Sequence, residues 1–131
     1  MRSKKKRRGV AATEFAVCLP VIVLLLLATI EACTMVFVKQ ALTVAAYEGS
    51  RVAIGQDKST SDVQTAVDRI LIERRINGAT LTMQPGNPNA VNEGEYLSVT
   101  VTAPAASNAV IPVTFYRGRT LSATATMMKE F

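Results

Sequence analysis

The sequence predicts an α+β protein with one long N-terminal helix that crosses a membrane and continues outside it, a second short helix, and a small antiparallel sheet of three or four strands. Three observations support this prediction. Residues 15–30 form an uncharged apolar run. Hydrophobic residues then repeat at helical spacing up to about residue 54. Near the C-terminus, apolar and polar residues alternate in several short stretches, as they do in strands with one buried face.

The apolar run is long enough to span a bilayer. It includes the unbroken segment Val21–Leu27, and after the single acid Glu31 the apolar character resumes up to Val38. The 24 residues from Phe15 to Val38 exceed the roughly 20 that a transmembrane helix needs. We therefore predict that the transmembrane part covers about residues 15–38.

The charge of the chain is concentrated in a block at its N-terminus. Six of the first eight residues are basic: Arg2, Lys4, Lys5, Lys6, Arg7 and Arg8. Basic flanks stay on the cytoplasmic side of a membrane, so we expect the N-terminus inside and the C-terminus outside. Without residues 1–9, the chain has nine basic and ten acidic residues, although its formal net charge is +5. A basic face for nucleic acid is therefore not expected.

The predicted first helix covers residues 10–54 and is about twice as long as the hydrocarbon core is thick. Pro20 is its one breaker before Gly49, and we expect a kink there. The outer half carries a row of residues spaced by three and four: Met35, Val38, Leu42, Ala45, Gly49 and Val52. Small residues also recur at every fourth position, at Ala41, Ala45, Gly49 and Ala53, which permits close approach of another element. Packing on the chain's own domain and packing on another chain are equally open.

Residues 55–131 are predicted to form a small extracytoplasmic domain. Its helix covers residues 62–76, with Ser61 as N-cap and Gln64 completing a capping box, and Asn77-Gly78 ending it. The predicted strands cover residues 79–84, 95–103, 111–116 and 120–127. The strand at 111–116 belongs at an edge because Pro112 cannot donate to a ladder.

The residues that support most catalysis are scarce. The chain has no histidine and no clustered acids at metal-ligand spacing. Its two cysteines, Cys18 and Cys33, lie about 22 Å apart along the predicted helix and cannot pair. We expect no enzyme activity, no metal and no cofactor.

The start of the helix resembles a type IV prepilin, with a short basic leader ending in Gly9 and a glutamate, Glu14, five residues later. More narrowly, the sequence resembles the TadE-like family, the pseudopilins or minor pilins of the tight adherence (Flp, type IVb) pilus system. The similar segments are residues 9–16, Leu19-Pro20, Ile30-Glu31, 40–42 and 45–51, together with a C-terminal strand at 120–127. Phe15 departs from the related major pilin motif, which has tyrosine after the glutamate.

The resemblance implies a pilin-like fold and a role in assembling or priming a pilus. A prepilin peptidase would cut after Gly9, so that the mature chain begins at Val10, and the new amine would pair with Glu14 of a neighbouring subunit. The implied partners are this peptidase, other pilins or pseudopilins, the inner-membrane assembly platform and the lipid bilayer. The implied location is the bacterial inner membrane, crossed once, with a cytoplasmic N-terminus and a periplasmic domain.

Three other interpretations remain open. A cleaved secretory signal lacks a small-x-small site where the apolar run ends. A lipoprotein acylated at Cys33 fits the spacing of Ile30 and Ala32, although Glu31 suits that motif poorly. An uncleaved single-span anchor with a small binding domain shares every feature except the use of Gly9. Glu31 itself is expected either near the outer headgroups or in contact with another pilus component.

Overall fold

The structure is a computed structural model that describes residues 6–111 and 116–130. It contains two helices, α1 (Lys6–Ala53) and α2 (Thr60–Glu73), and three strands, β1 (Thr80–Gln84), β2 (Tyr96–Pro104) and β3 (Thr120–Met128). Single 3₁₀ turns at Pro88–Ala90 and Ala106–Asn108 lie in the connections. The predicted α+β class, with a long apolar first helix and a small antiparallel sheet, is confirmed.

The first helix is continuous over its whole length. It begins at Lys6, four residues before the predicted start, and ends at Ala53, one residue before the predicted end. Pro20 lies inside it, and the kink predicted there stays a prediction. Because α1 starts inside the basic block, the predicted division between leader and helix at Gly9 does not coincide with a change of secondary structure.

The N-cap of α2 is Ser59, so the predicted capping box at Ser61 and Gln64 is wrong. The Ser59 hydroxyl accepts a hydrogen bond from the Asp62 N–H at 3.3 Å, and the Asp62 carboxylate accepts one from the Ser59 N–H at 2.8 Å. Both serines have a polar residue three positions later. Ser59 is followed by Asp62 and Ser61 by Gln64. A carboxylate accepts hydrogen bonds more strongly than an amide and is favoured by the helix dipole at this end, so the pair of Ser59 and Asp62 forms the cap.

The second helix ends earlier than predicted because its C-terminus closes in a Schellman motif. Arg75 has a positive φ of 55°, and the Ile76 N–H donates to the Leu71 carbonyl at 2.9 Å. The Arg75 N–H donates in turn to the carbonyl of Ile72. This turn directs Ile76 back to the core, where its side chain is partly buried. The helix therefore stops at Glu73 instead of continuing to residue 76.

Ser59→Ala should lower the free energy of unfolding by about 1 kcal/mol, since it removes a side-chain N-cap. Hydrogen bonds from the Ser59 N–H, and then from its hydroxyl, hold the pKa of Asp62 below its ordinary value. A lowered pKa in the folded state stabilises at pH values above the ordinary aspartate range, and the contribution is lost as the pH falls through the lowered value. Denaturant unfolding at pH 6 and pH 3 measures both effects.

The matched control is Ser61→Ala, which leaves the capping pair in place and should change stability little. Equal destabilisation by the two substitutions would contradict the assignment of Ser59 as N-cap. A difference between wild type and Ser59→Ala that does not shrink at pH 3 would contradict the contribution of the Asp62 carboxylate.

The sheet is a three-stranded antiparallel meander in the order β1-β2-β3. Val99 of β2 lies opposite Met83 of β1 and Ala125 of β3, and Val101 lies opposite Leu81 and Ala123. The polar face is joined by hydroxyl pairs such as Thr100 with Thr124, at 2.8 Å. Each end of the three strands agrees with its predicted position or differs from it by one residue. The predicted strand at 111–116 falls largely on residues 112–115, outside the described ranges.

The core lies between the sheet and the two helices. The outer half of α1 and one face of α2 cover the apolar face of β2, as is needed for so small a sheet to be stable. Fully buried residues include Leu42, Ala45, Val63, Val67, Leu97, Val99 and Val101. Most of the predicted seam of α1, from Met35 to Gly49, is buried within this chain, and Val52 is partly buried. The seam packs on the chain's own domain.

Candidate assembly surface on the first helix

The first part of α1 stands free of the folded domain. Every residue from Gly9 to Leu26 is exposed, Leu27 and Ala28 are partly covered, and the first fully buried residue is Glu31. The helix is long and apolar enough to cross a membrane, with a mean hydropathy of 2.6 over a window of 18 residues. The free apolar segment ends where the folded domain begins to cover the helix.

The domain covers part of the predicted transmembrane segment. Met35 and Val38 lie inside the predicted span of 15–38, yet they are 5% and 2% exposed within this chain. A helix buried by its own domain cannot also face lipid on that side. The segment from Val10 to Ile30 avoids this conflict, and its 21 residues measure about 31 Å, close to the roughly 30 Å of a hydrocarbon core.

Gly9 and Val10 lie in helical backbone at the exposed end of α1. A Cβ added at Gly9 would meet nothing within 4 Å, so the chain itself does not require glycine there. The Thr13 hydroxyl donates to the Gly9 carbonyl at 2.9 Å, within the peptide that joins Gly9 to Val10. Hydrolysis of that peptide in an extended conformation would first require the end of the helix to unwind.

Glu14 lies one helical turn after Val10 and on the same side of α1. Phe15 is 60% exposed, and Glu14 and Pro20 are also exposed, so the domain contacts none of these predicted site residues. The structure brings Gly9, Val10 and Glu14 together only through helical spacing. Their surroundings are therefore left to lipid or to another chain.

Glu31 is an internal residue of this chain. Its side chain is 1% exposed, and neither carboxyl oxygen has a hydrogen-bond partner among the described residues. A buried polar group without a partner costs about 1 to 3 kcal/mol of stability. The enclosure of Glu31 leaves no exposed carboxyl group for contact with another pilus component, which corrects that expectation. Its position near the outer headgroups stays a prediction.

Sequence reasoning missed a second row of residues, which stays exposed on α1. The row follows alternating steps of three and four and contains Ile30, Cys33, Phe37, Gln40, Val44 and Tyr47. Phe37 and Tyr47 are 46% and 57% exposed. The spacing was visible in the sequence, but the sequence did not show which of two apolar rows the domain would cover. We call these six residues the outer seam.

Comparison with known proteins identifies the same helix. The model of the TadE-like protein family matches residues 9–51. Over this segment the chain is similar to the TadE-like family. The match covers about a third of the chain and ends two residues before α1 does, so that it lies entirely on the first helix. No curated protein and no solved structure matches this chain.

The match confirms that the first helix resembles the TadE-like family. The match supports the expectation of a Tad pilus-associated protein. The expected partners and the expected absence of enzyme activity stay predictions. The long apolar helix indicates a single-pass membrane anchor. The similarity of residues 120–127 to the family's C-terminal strand lies outside the matched segment and stays a prediction.

Proposed function

We propose that this chain is a minor pilin, or pseudopilin, that is cleaved after Gly9 by a prepilin peptidase and acts in the assembly of tight adherence pili. One observation supports this proposal most strongly: the TadE-like match lies on a helix that begins with a long exposed segment. The 18 residues from Gly9 to Leu26, which follow the basic block, are all exposed and are not covered by the domain. Such a helix is suited to insertion in lipid and to lateral contact with other helices.

The proposed membrane span is Val10–Ile30, which revises the predicted 15–38. The basic block at the N-terminus is retained in the cytoplasm, and the domain that begins to cover α1 at Glu31 lies on the periplasmic side of the inner membrane. This placement keeps Met35 and Val38 out of the lipid. It also places Glu14 near the cytoplasmic face, where a carboxylate is less costly than at the bilayer centre.

The proposed role of Glu14 is to pair with the amine that cleavage creates on Val10 of a neighbouring subunit. An opposite charge within a few ångströms compensates part of the cost of holding a carboxylate in a medium of low dielectric constant. Glu14 is free to make this contact because the chain's own domain does not reach it.

The outer seam extends the proposed contact beyond the membrane. It begins at Ile30, where the proposed span ends, and its residues up to Tyr47 are exposed. Alternating spacing of three and four suits packing against another helix. We assign the part of this surface beyond Phe37, at Gln40, Val44 and Tyr47, to the other pilins or to the inner-membrane assembly platform.

The alternative of a lipoprotein acylated at Cys33 is not supported by the geometry. Cys33 lies in the middle of α1, and cleavage before it would separate the buried Glu31 from Met35 and the rest of the covered helix. An uncleaved single-span anchor is the remaining alternative, and it differs from the proposal only at Gly9.

The deciding experiment is intact-mass or N-terminal peptide spectrometry of the chain from membranes of a host that has a prepilin peptidase. We expect the mature chain to begin at Val10, with or without N-methylation of the new amine. Gly9→Val should leave the leader attached, because the added side chain obstructs the backbone at the cut. The control is the wild-type chain in a host that lacks the peptidase.

A leader that stays intact on the wild-type chain in the competent host would support the uncleaved anchor instead. Loss of the first 32 residues together with added lipid would support acylation at Cys33. Either result would remove the proposed pairing of Val10 and Glu14.

A further inference from the structure

The end of the folded domain that faces the proposed membrane carries exposed arginines. The start of α2 packs at Gly49, whereas the residues after α2 lie beside Thr34 and Phe37. The two helices are therefore antiparallel, and α2 ends near the level where α1 leaves the proposed span. Arg74 and Arg75 are exposed at this end.

The sheet places two more arginines at the same end. The Ala105 N–H, just after β2, donates to the carbonyl of Arg119, just before β3, at 2.9 Å. Arg117 and Arg119 are both exposed. Among the described residues, one exposed acid, Glu73, accompanies these four arginines at the membrane-proximal end.

The opposite end of the domain has the opposite balance of charge. It contains the loop between α1 and α2, the segment before β2 and the end of β3. Five acids lie there, against three bases: Asp57, Asp62, Glu93, Glu95 and Glu130, against Arg51, Lys58 and Lys129. The charge of the domain is thus separated along the axis of α1, with the positive end toward the proposed membrane.

A groove begins between the arginines and runs down α1. Its upper part, of about 420 Å³, is lined by Arg74 and Arg75 together with Phe37 and Val110. Its lower part, of about 450 Å³, shares Phe37 and Val110 and extends along α1 to Ile30. The upper part is therefore partly charged and the lower part is apolar.

The wall of the upper groove is held in place by hydrogen bonds between two asparagines. The Asn77 N–H donates to the Asn108 side-chain oxygen at 2.8 Å, and the Asn108 amide donates to the Asn77 carbonyl at 2.9 Å. These bonds fasten the segment after α2 to the segment after β2. The groove is thus preformed within the described residues.

We propose that this groove binds an anionic phospholipid from the leaflet that faces the domain. The phosphate lies at Arg74 and Arg75, and one acyl chain lies along the lower groove beside Phe37 and Ile30. The depth fits this occupant, because Ile30 is the last residue of the proposed span and the arginines lie above it, at headgroup level. Charge complementarity selects an anionic headgroup, since the two arginines outnumber Glu73 in the groove.

The proposal depends on the membrane span and not on cleavage of the leader or on pilus assembly. The lipid proposal can therefore fail while the proposed function holds, and the proposed function can fail while the lipid proposal holds. Each basic residue near an anionic membrane surface strengthens binding by a factor of about five.

The test uses the full chain in nanodiscs that contain equal amounts of phosphatidylcholine and phosphatidylglycerol. After transfer to mild detergent, native mass spectrometry counts the lipids that each protein retains. We expect wild type to retain phosphatidylglycerol in preference to phosphatidylcholine. Arg74→Gln/Arg75→Gln should reduce that preference by roughly 25-fold, from two factors of about five.

Two further variants separate a groove from general surface charge. Arg51→Gln/Lys58→Gln also removes two positive charges, but at the opposite end of the domain. It should leave the preference for phosphatidylglycerol unchanged. Val110→Asn changes no charge and, since Val110 is 69% exposed, should not disturb folding. It should nevertheless reduce lipid retention, because it removes an apolar wall of the groove.

Equal retention of the two lipids by wild type would overturn the proposal. Loss of preference in the control pair equal to that in Arg74→Gln/Arg75→Gln would do the same, since net charge alone would then explain retention. Unchanged lipid retention in the arginine variant together with weaker co-purification of pilus components would show that the groove holds protein instead.

Discussion

Gly49→Val should destabilise the folded domain by about 2 to 4 kcal/mol. A Cβ at Gly49 would lie 2.7 Å from the Cγ2 atom of Val67 and 3.1 Å from the Cγ1 atom of Val99. Both valines are fully buried, one in α2 and one in β2. The close contact of α1 with both layers therefore requires the absence of a side chain at Gly49. Denaturant unfolding of the full chain in detergent, followed by protease sensitivity of the domain, measures the loss.

Gly86→Val is the matched control for this prediction. Gly86 lies in an exposed turn of the same domain, and a Cβ added there would meet nothing within 4 Å. We expect a change of less than about 0.5 kcal/mol, as is usual for surface positions. Similar destabilisation by the two substitutions would mean that the effect comes from adding valine and not from the contact of Gly49 with Val67 and Val99.

Glu14→Gln should weaken the association of the mature chain with its partner pilins by roughly 100-fold, since removal of one member of a buried ion pair costs about 3 kcal/mol or more. The substitution keeps the size of the side chain and removes its charge. Glu14→Ala should have a similar effect while leaving membrane insertion and cleavage after Gly9 nearly intact. Co-purification of partner pilins from solubilised membranes, compared at equal amounts of processed chain, measures the association.

The control for charge is Glu93→Gln, which removes an exposed acid at the far end of the domain. It should leave co-purification unchanged. Undiminished recovery of partner pilins with Glu14→Gln would exclude the proposed pairing with the Val10 amine. If both Glu14→Gln and Glu93→Gln reduced the recovery of partner pilins, the loss would instead be due to the change in net charge.

The long helix and the alternating strands could be predicted because each depends on local periodicity. The apolar run fixes a membrane helix by its length, and alternating residues such as Val99 and Val101 fix which face of a strand is buried. The TadE-like segment was also readable, since it is a linear pattern on one helix.

Helix ends and caps were less predictable because neighbouring residues compete for them. Ser59 and Ser61 both carry the pattern of an N-cap, and the observed hydrogen bonds with Asp62 favour the first. The end of α2 depends on Arg75 taking a positive φ so that Ile76 returns to the core. The packing of Ile76 on the core is a tertiary contact, and no residue near the end of the helix predicts it from local sequence.

The sequence by itself determined that a cationic N-terminal segment precedes an apolar helix with a glycine and a glutamate five residues apart, because these features are local and need no folded neighbour. Only the tertiary structure decided which row of α1 is internal and which is free. The inner row packs because Gly49 lets α2 and β2 approach closely, whereas the outer seam stays exposed. The folded chain also encloses Glu31. The extent of the domain along α1 also sets the free length from Val10 to Ile30, since a residue covered by protein is no longer available to lipid.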